Sequence, residues 1–421
     1  MTKRLLSLSL VILVLVVCSQ AAIAATSETK EPVTLVLANY YNGARIPLMD
    51  AQLRRFEEQY PWITVVNQVT GATNSTIEKD LVAIAAGMPP DVWMVDRIRI
   101  PAFVEQGVLV PLDDFISKDD EFNMDMFYKT EQELYKYKGN TYAVPMIASS
   151  VSLLYYNRTI FANAGYDPDR PPATWDDMLA VATRVQKVDA DGTVRIHGGN
   201  IDYFPRYAIA QLAYTNGYLI LDDPLAVNYL HDAVRAGVNW AVEFVSRVSK
   251  GGSLGTNTRA MQFHGEWTYF NQKAAYPDLD LGIGLLPHGP NGQSHALAAA
   301  GWSYAIPKGT KHPEESWLLI KYLTTSEDAK MFALSQGRPS PVVRFNQDRR
   351  YFETNPYWHV VAEAMNLSIV ATPTPIAQTL ADADRQHYSR LLARNESPEN
   401  ILISLQQTVD NIIAEYKEGR Y

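Results

Sequence analysis

The residues of this chain that could do chemistry are mainly flat rings and the polar groups that stand beside them. It holds 8 Trp, 24 Tyr and 13 Phe, or 11% aromatics. Cores use such rings too, but a saccharide needs them in particular, because its C–H face packs on a flat apolar surface while its hydroxyls demand fixed carboxylates, guanidinium groups or amides. Residue types for other chemistries are present at the wrong spacing. His197, His264, His288 and His295 lack the intervals of a metal-binding helix, so they read as surface or locally satisfied residues. Asp113-Asp114 and Asp119-Asp120 are neighbours in loops, not opposed carboxylates for glycoside hydrolysis. No Gly-rich phosphate loop or GxSxG elbow occurs, and the single cysteine, Cys18, excludes an intrachain disulfide.

Alternating strands and helices must position these groups. VTLVLA, 33–38, is an apolar, β-branched run that predicts a buried strand, followed by helical spacing over 46–58 that Pro61 stops. A second strand at 63–69, a helix over 75–86 closed by Gly87 and Pro89-Pro90, and a short strand at 92–95 complete the pattern. Strand and helix alternating at this interval mean parallel pairing with helical crossovers, an α/β lobe. Ligands of such lobes lie at the carboxyl ends of the strands, so topology alone places Tyr40, Tyr41, Asn42, Asp96 and Arg97 near one edge. Farther on, helices are expected over 178–188, with Thr174 as N-cap, and over 204–215, 224–248 and 313–324. No repeat or low-complexity linker separates domains, although 421 residues imply two or three of them.

At the start, Lys3-Arg4 and the apolar run 5–17 have the layout of a secretory signal peptide, spanning about 1–25. The run is shorter than the roughly 20 residues of a membrane span. Ala22-Ile23-Ala24 offers an ordinary cleavage site, whereas Cys18 ends the apolar run where a lipoprotein would be lipidated, although Val17 is a poor residue to precede it. Free export and a lipid anchor therefore both stand. Losing Lys3 and Arg4 leaves 35 basic against 46 acidic residues, a charge of −11 that makes nucleic acid an unsuitable partner.

Four segments occur together in one order: AAGMPPDVWMVD at 85–96, a long stretch from YAVPMIASSVSLLYYN through 185, AMQFHGEWTYF at 260–270, and a segment beginning AGWSYAIPKGTKHPEESW at 300. Together they resemble the extracellular solute-binding proteins whose best-known members bind maltose and other sugars. The resemblance covers residue 33 to the C-terminus. It implies an α/β, periplasmic-binding-protein-like fold of two lobes, with a ligand cleft at a multi-segment hinge. One lobe should hold 31–143 and 294–343, the other 144–293 and 344–421, with C-terminal helices around Trp358 and over 382–418.

The same resemblance implies site residues. Gly265-Glu266-Trp267 matches the position where a small residue lets the backbone approach the cleft and an aromatic packs on the ligand. Gly301-Trp302-Ser303 resembles the segment that re-enters the first lobe. Trp267 and Trp302 are thus the expected platforms. Tyr41, Asn42, Asp96 and Arg97 are the expected polar shell of the first lobe, and Met146, Tyr203 and Glu266 the contribution of the second. Arg338 stands where the family often reads Gly-x-Pro, and Tyr155 is a further candidate for ligand contact, on a strand that Tyr156 and Asn157 support. Asp96 could instead cap the following turn and Arg97 could pair with a nearby acid. Trp175 should anchor its helix.

The implied protein is exported, periplasmic or on the cell surface, monomeric, without cofactor or catalysis, and gives a carbohydrate to the permease subunits of an ABC importer. A glycerol phosphodiester, polyamine or peptide as ligand, presentation of the ligand to a chemotaxis receptor, and a secreted glycoside-processing enzyme are the alternatives. Loops at 192–206 and 251–258 should set the width of the cleft.

Overall fold

The computed structural model describes residues 30–41, 43, 45–71, 74–149, 151–204, 206–298 and 301–420. The leader, Cys18 and Asn42 lie outside these residues.

Two main sheets contain eight strands: β1 (Val33–Asn39), β2 (Ile63–Val69), β3 (Val92–Asp96), β4 (Val144–Pro145), β5 (Ser152–Asn157), β6 (Met261–Gly265), β7 (Leu281–Gly284) and β8 (Trp302–Ala305). The helices that matter here are α1 (Arg45–Gln59), α2 (Asn74–Ala85), α3 (Trp175–Val185), α4 (Ile209–Thr215), α5 (Asp232–Arg247), α6 (Pro313–Thr325), α7 (Glu327–Leu334), α8 (Trp358–Asn366), α9 (Ala377–Ala393) and α10 (Pro398–Lys417).

The first sheet has the order β2-β1-β3-β8-β4, with β1 parallel to both β2 and β3 as the alternation requires. Every residue of β3 is buried, as a strand covered on both faces must be, whereas β2 at the edge alternates. β8 and β4 were not foreseen as partners. They join antiparallel, β8 to β3 and β4 to β8, so β4 forms the far edge of this sheet before the chain leaves the lobe and β8 brings the chain back to it. Val144–Pro145 thus belong to the first sheet, although the sequence reading began the second lobe at 144.

The second sheet, β6-β5-β7, is antiparallel throughout. Asn157 ends β5 and caps the next helix by accepting a hydrogen bond from Ile160 N at 2.9 Å, while Tyr156 donates to the Pro168 carbonyl. Thr174 caps α3 through Asp177 N at 3.1 Å. Trp175 stacks on Trp240 at 5.2 Å and accepts its indole N–H, so it anchors α3 as expected.

Three helix boundaries differ from the sequence reading. α3 ends at Val185, because Gln186 turns extended and Lys187–Val188 pair with Val194–Ile196. α5 starts only at Asp232, where a His231 ring nitrogen caps it by accepting from Ala233 N at 3.1 Å. α4 starts at Ile209, not near 204, because the chain before it is held by Asp384 of α9. That buried carboxylate accepts from Ala208 N at 2.6 Å, Ile209 N at 2.9 Å, Ala210 N at 2.9 Å and the Tyr229 hydroxyl at 3.0 Å. Burial outweighs these four donors and pushes the Asp384 carboxyl up to about 6. Between the ordinary aspartate range and about 6 the folded state therefore keeps a proton that the unfolded chain has lost. The resulting stability is complete below that window and is lost as pH rises through it. Urea unfolding should show wild type falling relative to Asp384→Asn between pH 4 and pH 6.5, roughly the interval between the two pKa values. A pH-independent difference would refute this reading.

Candidate functional site

Parallel strands bring their carboxyl ends to one edge, and the antiparallel β8 brings its beginning there. Trp302 sits in register with Asp96 across β8 and β3. Asn39, the last residue of β1, fixes the chain beyond it: its side-chain oxygen accepts Tyr41 N at 2.9 Å and its amide nitrogen donates to Asn67. Tyr41 stacks on Phe332 of α7 at 5.9 Å, and the Arg45 guanidinium lies 4.8 Å from its ring centre. The Tyr41 hydroxyl is buried without a hydrogen-bond partner among the described residues, and burial pushes the phenol up. Trp302 is half-buried and turns an edge to Tyr40 at 5.8 Å.

Asp96 does two things at once. It accepts Ile98 N at 3.5 Å, a weak cap of the short turn after β3, and it forms an ion pair with Arg206. Arg206 comes from the loop leading to α4, so this pair joins the two lobes.

The opposite wall is the turn after β6. Glu266 is buried, and one of its oxygens receives Arg338 Nε at 3.1 Å and Nη2 at 2.8 Å. The other oxygen has no hydrogen-bond partner among the described residues, and burial raises the carboxyl although Arg338 and nearby backbone N–H groups oppose the shift. Trp267 is half-buried, with the Arg338 guanidinium 4.7 Å from its ring centre. A Cβ on Gly265 would run into that indole, so glycine at 265 is set by the close approach of Trp267. Tyr203 meets the edge of Trp267 at 6.1 Å and stacks flat on His264 at 4.1 Å.

Tyr41, Asp96, Trp302, Arg338, Glu266, Trp267 and Tyr203 are therefore distributed over two facing walls that touch through ion pairs. Four expected contacts have other roles. Arg97 is buried in the first lobe, where Nη1 lies 3.3 Å from Glu131 and bonds Ser149; it pairs with an acid instead of facing ligand. Gly301 is small because a Cβ there would overlap the Arg97 guanidinium. Met146 packs into the first-lobe core, not the second, and its backbone N donates to the Trp302 carbonyl at 3.0 Å. Tyr155 is wholly buried, its hydroxyl spent on the Gly265 carbonyl at 2.9 Å, so it supports the Trp267 turn from beneath.

Sequence reasoning passed over Arg206, His264 and Arg45. His264 donates to or accepts from Thr268 Oγ1 at 2.6 Å through Nδ1, and burial lowers its pKa, which keeps the ring neutral as a stacking partner. Its alternation with Phe263 and Gly265 on β6 was the available signal. Arg206 ends the 192–206 loop already marked as cleft-forming, but nothing local tied it to Asp96. Among the described residues, no group of three or more His, Cys, Asp or Glu could hold a metal, and no helix is long and apolar enough to cross a membrane.

Two α/β lobes with strand edges opposed across a cleft define a binding protein of the periplasmic-binding-protein fold. The chain belongs to the bacterial extracellular solute-binding protein family, whose model matches residues 42–330. That membership makes it an extracytoplasmic protein. An uncharacterized ABC transporter extracellular-binding protein of Pyrococcus horikoshii is 25% identical over 354 residues, 77% of this chain and 75% of that one. Among solved structures, a substrate-binding protein of Listeria monocytogenes in complex with cycloalternan aligns with TM-score 0.76 at 20% identity, covering 93% of this chain and all of the other. The sugar-binding protein MalE of Xanthomonas citri aligns with TM-score 0.77 at 20% identity, covering 91% of this chain and 98% of the other. At these identities the structures establish the fold.

Proposed function

We propose that the chain captures a carbohydrate between its lobes and delivers it to the permease of an ABC importer, without catalysing a reaction. The observation that carries this reading is the pairing of half-buried rings with unspent polar atoms on facing walls. Trp267, Tyr203 and Trp302 offer surfaces for a C–H face. Among the described residues the Tyr41 hydroxyl and one Glu266 oxygen are buried and unpartnered, a costly state that ligand hydroxyls relieve. Asp96 and Glu266 are each engaged by an arginine, which suits acceptance of hydroxyl protons better than the acid–base exchange of glycoside hydrolysis. The cycloalternan held by the Listeria protein and the sugar-binding description of the Xanthomonas protein support the same class.

Lobes of 31–143 with 294–343 and of 144–293 with 344–421, the first crossing moved past Met146, would close as ligand touches both walls. A monomer suffices for this. Cleavage after Ala24 or Ala25 and free export is the reading the leader favours over an anchor at Cys18.

A thermal-shift screen of the mature protein against neutral and acidic sugars, polyols, glycerol phosphodiesters, polyamines and peptides tests the class. A large shift from one sugar class is expected; a silent sugar set beside a shift from a polyamine or peptide would overturn it. Tyr41→Phe separates binding from folding. It removes an unsatisfied buried hydroxyl, so the ligand-free variant should be as stable as wild type or about 1 kcal/mol more so, while sugar affinity falls about tenfold. A variant with undiminished affinity would remove Tyr41 from the site.

A further inference from the structure

Three arginines at or behind the two walls are paired with acids. Arg97 meets Glu131, Arg206 meets Asp96 and Arg338 meets Glu266. Arg45, the first residue of α1, makes no ion pair among the described residues, in a chain whose acids outnumber its bases by 46 to 37. Its place is nonetheless fixed. Arg45 Nε donates to the Gln336 side-chain oxygen at 2.9 Å, and Gln336 is itself held because its amide nitrogen donates to the Phe332 carbonyl at 2.9 Å. The guanidinium lies over the Tyr41 ring, and that ring is backed by Phe332. A half-buried cation is thus oriented by an amide and an aromatic face, both neutral.

Neutral partners orient a guanidinium without cancelling its charge, which leaves its remaining N–H groups for an anion. α1 adds to the positive potential, since it begins at Arg45 and has no acidic residue in its first turn. The second observation is Tyr41. Its hydroxyl is buried, has no partner among the described residues, and is close enough to Arg45, Arg338 and Glu266 for all three charges to act on it. A ligand reaching that hydroxyl therefore reaches the neighbourhood of Arg45. Glu266, whose charge also acts on that hydroxyl, keeps one oxygen without a partner among the described residues, a place for a donor such as a sugar hydroxyl.

Resting on the carbohydrate reading above, we infer that the ligand is an acidic saccharide, a uronic acid or oligouronide, whose carboxylate is received by Arg45 beside Tyr41 and whose hydroxyls reach Glu266. A single uncompensated guanidinium matches a monoanion. A phosphoryl group carries nearly two charges and asks for several convergent donors, so the carboxylate is the better fit.

Calorimetric titration of the mature protein with matched pairs tests this: oligogalacturonate against galactose oligomers, oligomannuronate against mannose oligomers, and glucuronate-containing against glucose disaccharides. At low salt one uronide should bind at least tenfold more tightly than its neutral counterpart, and the advantage should shrink as salt is raised. Arg45→Gln should bring the uronide-to-neutral ratio close to one, and Arg45→Lys, which keeps the charge but loses the fork, should retain part of it. Melting temperatures of both variants near that of wild type show that folding is not the cause. Neutral sugars binding as tightly as uronides would overturn the inference and leave the carbohydrate reading standing. A preference that survives Arg45→Gln, or a sugar phosphate that binds more tightly than any uronide, would also overturn it. Silence from every sugar would overturn both readings together.

Discussion

Arg338→Ala is expected to lower unfolding free energy by about 3 kcal/mol, as removal of one partner of a buried ion pair does. The variant leaves Glu266 buried without its guanidinium partner and its carboxyl pushed further up by the loss of the charge that opposed burial. It also removes the cation from the Trp267 ring and the tie between the α7 end and the β6 turn. Sugar affinity should fall with stability, since both Glu266 and Trp267 lose the group that orients them. The double variant Arg338→Met with Glu266→Gln should recover much of the stability, because no buried charge remains, but not the affinity. Chemical denaturation beside calorimetry reads both quantities. An Arg338→Ala protein as stable as wild type would show that the pair does not hold the walls together.

Trp302→Ala is expected to weaken sugar binding by roughly 2 kcal/mol, about thirtyfold, the loss typical of an aromatic anchor. Trp302 is the first residue of β8, half-buried, with its ring against Tyr40 and its backbone fixed through Asp96 on one side and Met146 on the other. The strand pairing is made by backbone groups, so the alanine variant should fold. Unchanged affinity in that folded variant would remove Trp302 from the site, and Trp267, one face of which is shared with Arg338, would have to carry the stacking with Tyr203.

The first lobe was legible because its signals are local. Apolar runs, caps and proline stops fixed β1, α1, β2, α2 and β3 to within a residue or two, and parallel pairing followed from their alternation. The return of the chain near Trp302 was marked by resemblance, but the pairing of the returning strand was not legible in any local pattern. Trp302–Ala305 pairs with residues more than two hundred positions earlier, and no local pattern encodes such a partner. α4 was misplaced for the same reason, since its start is decided by Asp384 from another helix.

The site divides in the same way. Trp267, Glu266 and Arg338 were marked on a resemblance of short segments, and the structure brings them into contact. Arg97 and Tyr155 were marked by their position at strand ends, but position says nothing of side-chain direction, and both turn inward to buried partners. Arg45, His264 and Arg206 were missed because their meaning lies in what they meet: Tyr41, Tyr203 and Asp96.

The most direct test is a calorimetric titration of the mature protein with the sugar class that stabilises it in the thermal screen, followed by recovery of the bound sugar. The expected result is saturable binding of one sugar molecule per chain, with the sugar recovered intact. Absence of saturable heat with any sugar, or recovery of cleaved products, would contradict capture of a carbohydrate without catalysis.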